Sequence, residues 1–274
     1  MECKLYLAKK DKVQCLACAH KCIIQEGDVG ICGVRENSKG KLFLLVYGNV
    51  AAEHVDPIEK KPFYHFLPGT GAYSIGTVGC NFKCDWCQNF DISQASKGKK
   101  GHVFGNKTTC GEIVNSAITA NCKSIAYTYN EPVIWIEFAH DIAKLAKKKS
   151  LKNIFVTNGY WTEESFDFMN KEKLIDAMNI DLKCFDANIH LKYCGGKLKP
   201  VLDTIERAKK AGIHVELTTL IVPGVNDNEK QLRGIANFIA KLDKNIPWHI
   251  SRFFPMYNMA NKQSTNISIL KKPS

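Results

Sequence analysis

The sequence predicts an α/β protein, a partial (βα)6 TIM-like barrel preceded by a small cysteine-rich metal-binding segment. Three observations carry this. From Ala72 onward strand-like and helix-like stretches alternate, the pattern of a parallel sheet covered by helices. At roughly 31 residues per unit of a full eight-unit barrel, the stretch to Phe254 is long enough for about six units, hence an open barrel. Finally, seven of the twelve cysteines fall in two tight groups, one ahead of the barrel and one just after its first strand.

Composition sets the class. The 274 residues suffice for one large domain with an appendage, and 45% hydrophobic content excludes global disorder. Twelve cysteines are about 4% of the chain, below the ~8–10% of a disulfide scaffold. Their metal-like spacing points to a reducing, cytoplasmic setting. The N-terminus MECKLYLAKK lacks the apolar core of a signal peptide. The longest apolar run, near Leu42 to Ala52, is interrupted by Tyr47, Gly48 and Asn49, so no membrane span is expected. The net charge of +11 suits nucleic acid, an anionic substrate or an acidic electron donor. Lys147, Lys148 and Lys149 end a predicted helix, where cations complement the macrodipole. Lys97, Lys99 and Lys100, in a Gly/Ser loop, are better placed for partner contact.

In chain order, residues 1–40 form the cysteine-rich segment. Cys15, Cys18, Cys22 and Cys32 are separated by two, three and nine residues, with Gly27, Gly30 and Gly33 among them. Four thiolates close a site, so structural zinc or a second, auxiliary iron–sulfur cluster is expected. His20 could replace one thiol but reads as a surface histidine. Residues 41–71 read as a β-hairpin and a rigid connection set by Pro57, Pro62 and Pro68; His65, among Phe63, Tyr64 and Phe66, reads as packed. The barrel spans 72–256, with strands at 72–79, 124–129, 152–157, 176–182, 213–222 and 247–253. Thr109 and Glu112 form a capping box for the next helix, and Pro132 suits a helical first turn. Val201, Ile205 and Ala208 form an apolar stripe that stops at Gly212, and Leu232, Ile235, Ile239 and Leu242 form another. Residues 257–274 are polar and without period, and read as a frayed tail.

The chemistry centres on GCNFKCDWCQ, residues 79–88. Cys80, Cys84 and Cys87 can hold three corners of an iron–sulfur cube, whereas a [4Fe–4S] cluster takes four ligands. The next cysteine is Cys110. Three cysteines in eight residues suit a closed zinc site poorly. In βα barrels the active site gathers at the C-terminal strand ends. Those ends carry Tyr129, Asn130 and Glu131; Thr157, Asn158 and Gly159; Asp181 and Lys183; Pro223 and Gly224; and His249, Ser251 and Arg252. Glu131 can accept from an ammonium, and Asn158, Lys183 and Arg252 can meet a carboxylate, ribose hydroxyls or an anionic substrate.

The cysteine spacing resembles that of the radical S-adenosylmethionine (SAM) superfamily. The stretches CLACAHKC…GICGVREN, DPIEKKPFYHF, GCNFKCDWCQN, YTYNEP, FVTNGY, NIDLK, TTLIVPGVND and PWHISRFFPMY are similar to the radical SAM member of the AmmeMemoRadiSam system. That branch is related to pyruvate formate-lyase activating enzyme. The resemblance covers Cys15 to Tyr257. It implies a [4Fe–4S] cluster on Cys80, Cys84 and Cys87, whose open iron binds the amino and carboxylate groups of SAM. Electron transfer to the sulfonium then releases a 5′-deoxyadenosyl radical. Trp86 would lie against the adenine, and Asn130 and Glu131 stand where many relatives carry a Gly-Gly-Glu motif. Asn158, Asp181, Lys183 and His249 fall at cofactor-binding or cation-site strand ends. The resemblance further implies reduced flavodoxin or ferredoxin as electron donor. The expected activity is hydrogen abstraction from a substrate, in the manner of glycyl-radical enzyme activation, or radical modification of another protein, RNA or small molecule. A reading of another class is a zinc-stabilised nucleic-acid-binding module. Two features depart from the branch. Val156 replaces the acidic residue before Thr-Asn-Gly, and members of the branch continue beyond the sixth strand.

Overall fold

The computed structural model describes residues 1–97 and 102–271. Lys99 and Lys100 lie outside the described residues. The core is a seven-stranded sheet: β1 (Ala52–Pro57), β2 (Gly71–Gly76), β3 (Ser124–Tyr127), β4 (Lys152–Thr157), β5 (Ala177–Asp181), β6 (His214–Ile221) and β7 (Trp248–Arg252). Neighbours in the sheet follow chain order. β2 to β7 are parallel, and β1 pairs antiparallel with β2 at the edge. The six expected strands are all present. Ser124, Ile125, Ala126 and Tyr127 are buried without alternation, as expected where both sheet faces are covered.

The helices of eight residues or more are α1 (Cys110–Thr119), α2 (Ile136–Lys148), α3 (Glu163–Asn170), α4 (Ala187–Cys194), α5 (Leu198–Lys210) and α6 (Glu229–Asp243). Thr109 and Glu112 make the expected capping box on α1. Pro132 opens a 3-10 turn, Pro132–Trp135, that runs into α2. The apolar stripes of α5 and α6 face the sheet through Val201, Ile205 and Ala208, and through Leu232, Ile235 and Ile239. The curled sheet with its outer helices is a partial barrel.

Residues 41–71 depart from the sequence reading. The hairpin lies earlier, pairing Arg35–Ser38 with Lys41–Leu44. Lys39 and Gly40 both have positive φ, 53° and 73°, the conformation of a tight two-residue hairpin turn. β1 then joins the barrel sheet. The segment after it folds beneath the barrel, where Ile58 and Phe63 are fully buried against Ala72, Ala126, Ile154 and Ala177, near the strand starts. Asn179 Nδ2 donates to the Pro62 carbonyl at 2.9 Å. The prolines therefore shape a plug across the N-terminal end of the barrel.

The N-terminal residues form a three-stranded antiparallel sheet and the hairpin. Arg35, 1% exposed, donates to both carboxylate oxygens of Glu137 on α2 and to the Ile134 carbonyl at 2.8 Å. The Thr162 hydroxyl donates to the Leu16 carbonyl, and Ala19 N donates to the Tyr160 carbonyl.

The C-terminal residues up to 271 are tied to the barrel, against the expectation of a frayed tail. Thr265 is fully buried; its hydroxyl donates to the Ile221 carbonyl at 2.5 Å and accepts from Phe253 N at 2.9 Å. Arg252 Nε donates to the Thr265 carbonyl. Met259 is buried in the core, Asn258 Nδ2 donates to Asp85, and the Tyr257 ring stacks on Phe90; these isolated contacts leave no periodic signal in sequence. Among the described residues no helix is long and apolar enough to cross a membrane.

Candidate functional site

The loop after β2 opens with Gly79 at φ 93°, a conformation that side chains rarely adopt. A Cβ there would also lie 2.7 Å from the Cys32 carbonyl oxygen. Gly79 thus permits a tight turn pressed against the N-terminal cysteine segment. Cys80, Cys84 and Cys87 then line one wall of a cavity of about 400 Å3. Phe82 N donates toward Cys80 Sγ at 3.4 Å, and the Ser93 hydroxyl is 3.2 Å from Cys87 Sγ. Lys97 reaches back to the Phe82 carbonyl. Burial pushes the Cys80 and Cys87 thiols up, whereas a hydrogen bond from Cys194 draws Cys84 down.

The strand ends supply the opposite wall. Trp86, Asn130, Glu131, Asn158, Asp181 and Lys183 all line the same cavity as the thiols. Asn130 Nδ2 donates to the Thr77 hydroxyl at 3.0 Å and the Gly79 carbonyl at 2.8 Å, while its Oδ1 accepts from Trp135 Nε1. Asn158 Nδ2 donates to Asn81 Oδ1 at 2.8 Å. Both asparagines therefore hold the cysteine loop in place. Glu131, 1% exposed, accepts from Val133 N, Asn158 N, the Thr157 hydroxyl and Trp161 Nε1. It fastens the end of β3 to that of β4, and burial raises its carboxyl to about 7 despite the four donors. Lys183 pairs with Asp181 at 2.8 Å. Burial opposes its charge, but Asp181, with the sulfurs of Cys84 and Cys194 beside it, outweighs that and keeps it firmly protonated.

His249 does not join this group. It is the second residue of β7, in register with Thr218, so it lies toward the start of its own strand. Its Nε2 sits 2.5 Å from Glu216 Oε2, away from the cavity lining. Arg252 is also absent from the lining, its Nε engaged by Thr265.

Lys60 and Lys61 were missed as site residues: they reach the cavity from the plug. Asp56 pairs with both, at 2.8 and 2.7 Å, and Lys61 lies 4.5 Å from the centre of the Tyr129 ring. Burial raises the Asp56 carboxyl, but the two lysines and Tyr129 hold it below the usual range. The acidic and paired basic residues in DPIEKKP were the available signal, obscured because the segment reads as a connection. Tyr129 itself has φ 69°, a strained conformation costing about 1–3 kcal/mol, at the turn that presents Asn130 and Glu131.

The residues present fit an iron–sulfur cluster with an additional ligand. Three thiols come from one loop, they open onto a cavity of ligand size, and cationic and acidic groups face them across it. The second cysteine group differs. Cys15, Cys18, Cys22 and Cys32, with His20, line a cavity of only about 10 Å3. Burial pushes Cys18 well up and Cys32 up to about 11. His20 is half-buried, its Nε2 2.9 Å from the Asn81 carbonyl oxygen, so it is not the surface residue expected. Asn81 Nδ2, buried in the same wall, has no hydrogen-bond partner among the described residues.

Comparison with known proteins gives a consistent result. The Radical SAM superfamily pattern matches residues 74–239. An uncharacterized protein of Methanocaldococcus jannaschii is 42% identical over 95% of this chain and 76% of its own length. The pyruvate formate-lyase-activating enzyme of Clostridium pasteurianum is 22% identical, over 60% of this chain and 67% of its own. Among solved structures, Streptococcus suis SuiB bound to precursor peptide SuiA superposes with a TM-score of 0.56 and 13% identity. That match covers 72% of this chain and 42% of SuiB.

Proposed function

We propose that this chain, which belongs to the radical SAM superfamily, reductively cleaves SAM in the cavity between the Cys80 loop and the strand ends, and abstracts hydrogen from a further substrate. The observation that carries the reading is the convergence of Cys80, Cys84 and Cys87 on the same 400 Å3 cavity as Trp86, Asp181 and Lys183. Cys80, Cys84 and Cys87 would hold a [4Fe–4S] cluster. When bound, the cluster supplies the electron that breaks a carbon–sulfur bond of SAM and so provides a radical for hydrogen abstraction. Lys183, kept charged by Asp181, binds a carboxylate or ribose oxygen. Trp86 offers an apolar surface for the adenine. Asn130, Glu131 and Asn158 act one step back: they fix the cysteine loop and the β3 and β4 ends.

The similarity to a pyruvate formate-lyase-activating enzyme supports glycyl-radical enzyme activation, and hence a protein substrate. Membership of the AmmeMemoRadiSam system belongs to the same proposal, as does a cytoplasmic setting. The net charge of +11 favours an acidic electron donor of the flavodoxin or ferredoxin kind. At Cys15, Cys18, Cys22 and Cys32, four thiols around one small cavity support a closed site holding zinc or a second iron–sulfur cluster.

Anaerobic reconstitution with iron and sulfide, followed by dithionite and SAM, tests the assignment. The wild-type chain is expected to release 5′-deoxyadenosine and Cys84→Ala to release none while keeping its circular dichroism spectrum. Product from Cys84→Ala at the wild-type rate would contradict the ligand set.

A further inference from the structure

At the opposite end of the sheet from the cysteine cavity lies a second constellation. Glu216 is the third residue of β6 and is fully buried. Leu220, four residues further on the same strand face, lines the cysteine cavity. Glu216 therefore points into the barrel beneath that cavity. Three histidines from three segments surround its carboxylate. His65 comes from the plug, His214 from the start of β6 and His249 from β7.

The contacts divide into two sets. His214 Nε2 lies 2.9 Å from Glu216 Oε1, and the backbone N–H groups of Tyr64 and His65 donate to the carboxylate at 3.1 and 3.0 Å. Those donors fix the orientation of the carboxylate. His249 Nε2 and His65 Nδ1 approach Oε2 at 2.5 and 3.4 Å. The imidazole rings of His65 and His249 stack at 5.9 Å with a 23° interplanar angle. One nitrogen from each ring and a carboxylate oxygen all lie within 4.8 Å of one another. Two imidazole nitrogens and a carboxylate oxygen are the donor set of an open zinc-type site, and a hydrogen-bonded partner that orients a ligand is a common accompaniment.

We propose that His65, Glu216 and His249 bind a divalent transition-metal ion of the zinc class, with His214 orienting the carboxylate. Three protein ligands leave a coordination position for water. The His65 side chain is 59% exposed, which gives an ion a route in, whereas Glu216 is at 0%. The ion joins the plug to the last two strands of the seven-stranded sheet. This site is independent of the cluster chemistry: its ligands come from the plug and strand starts, and it stands even if SAM is not cleaved.

The test uses the cluster-loaded chain under anaerobic conditions, with cobalt(II) as probe and zinc(II) as competitor. Cobalt bound by imidazole and carboxylate gives visible d–d bands without the thiolate-to-metal charge-transfer bands that cysteine coordination adds. Wild type is expected to bind one equivalent of cobalt with the former spectrum, displaced by one equivalent of zinc. His65→Ala and His249→Ala should each weaken cobalt binding by on the order of 100-fold, and His214→Ala by roughly 10-fold. His65→Ala alters a largely exposed side chain, and an unchanged Tm in the presence of a chelator checks that it folds. The proposal is overturned if cobalt fails to bind, if its only spectrum is thiolate-like, or if His65→Ala and His249→Ala bind it as wild type does.

Discussion

The two cysteine groups of this chain share a wall yet differ in what they enclose. Cys15, Cys18, Cys22 and Cys32 surround about 10 Å3, whereas Cys80, Cys84 and Cys87 face about 400 Å3. Four thiols around a small space suit a closed, structural site; three thiols facing a large one leave a position for a ligand. Neighbouring residues bridge the groups. Cys32 O accepts from the Ser96 hydroxyl at 2.9 Å, and Asn81 in the Cys80 loop accepts from Asn158 on one side and contacts His20 on the other. On the proposed assignment, donor count together with the size of the cavity, rather than cysteine content, separates the role of holding the fold from that of presenting a reactive metal.

Paired cysteine variants break the comparison most severely. Cys84→Ala should lower 5′-deoxyadenosine formation by on the order of 1,000-fold or more, while Tm measured without cluster stays near the wild-type value. Cys18→Ala should do the reverse: the cavity cluster keeps its activity per iron, and the N-terminal segment loses its metal and with it several degrees of Tm. Equal activity losses in the two variants would erase the proposed division.

Arg35→Met probes how the closed group is fastened to the barrel. The substitution leaves Glu137 buried without its partner, 1% exposed, and should cost about 3–5 kcal/mol in urea denaturation. A cost under about 1 kcal/mol would mean that the N-terminal segment is held in place mainly by other contacts.

Glu131 gives a smaller, pH-dependent effect on the open side. Burial raises its carboxyl from 4.5 to about 7, so the folded chain holds this proton more tightly than the unfolded chain. The stability due to this proton is fully present below pH 4.5 and is lost as pH rises through 7. Relative to Glu131→Gln, the wild type should therefore lose about 3 kcal/mol between pH 4.5 and 7.5. Parallel stability–pH curves for the two proteins would show that Glu131 titrates as an ordinary carboxylate.

Much of this was legible in sequence where local chemistry and regular period coincide. The six parallel strands, the Thr109 capping box and the stripes of α5 and α6 follow from alternation and spacing. Residues grouped by sequence at strand ends, Asn130, Glu131, Asn158, Asp181 and Lys183, meet at one cavity because parallel strands deliver their ends to one rim. What was hidden depends on long-range contact. Phe63 looked like part of a proline-rich connection and plugs the barrel. Lys60 and Lys61 enter the cavity with it. His249 was assigned to the rim from its motif, but its register on β7 sends it to Glu216 at the other end. Thr265 and Met259 help tie down the C-terminal segment through isolated contacts with no pattern to read.

The most direct test of the central claim is the electron paramagnetic resonance spectrum of the reduced, cluster-loaded protein with and without SAM. An open iron in the Cys80 loop predicts that SAM shifts the g-values of one cluster signal in wild type and in Cys18→Ala, and that this signal is missing in Cys84→Ala. A spectrum unchanged by SAM in wild type, or the same SAM-sensitive signal persisting in Cys84→Ala, would contradict it.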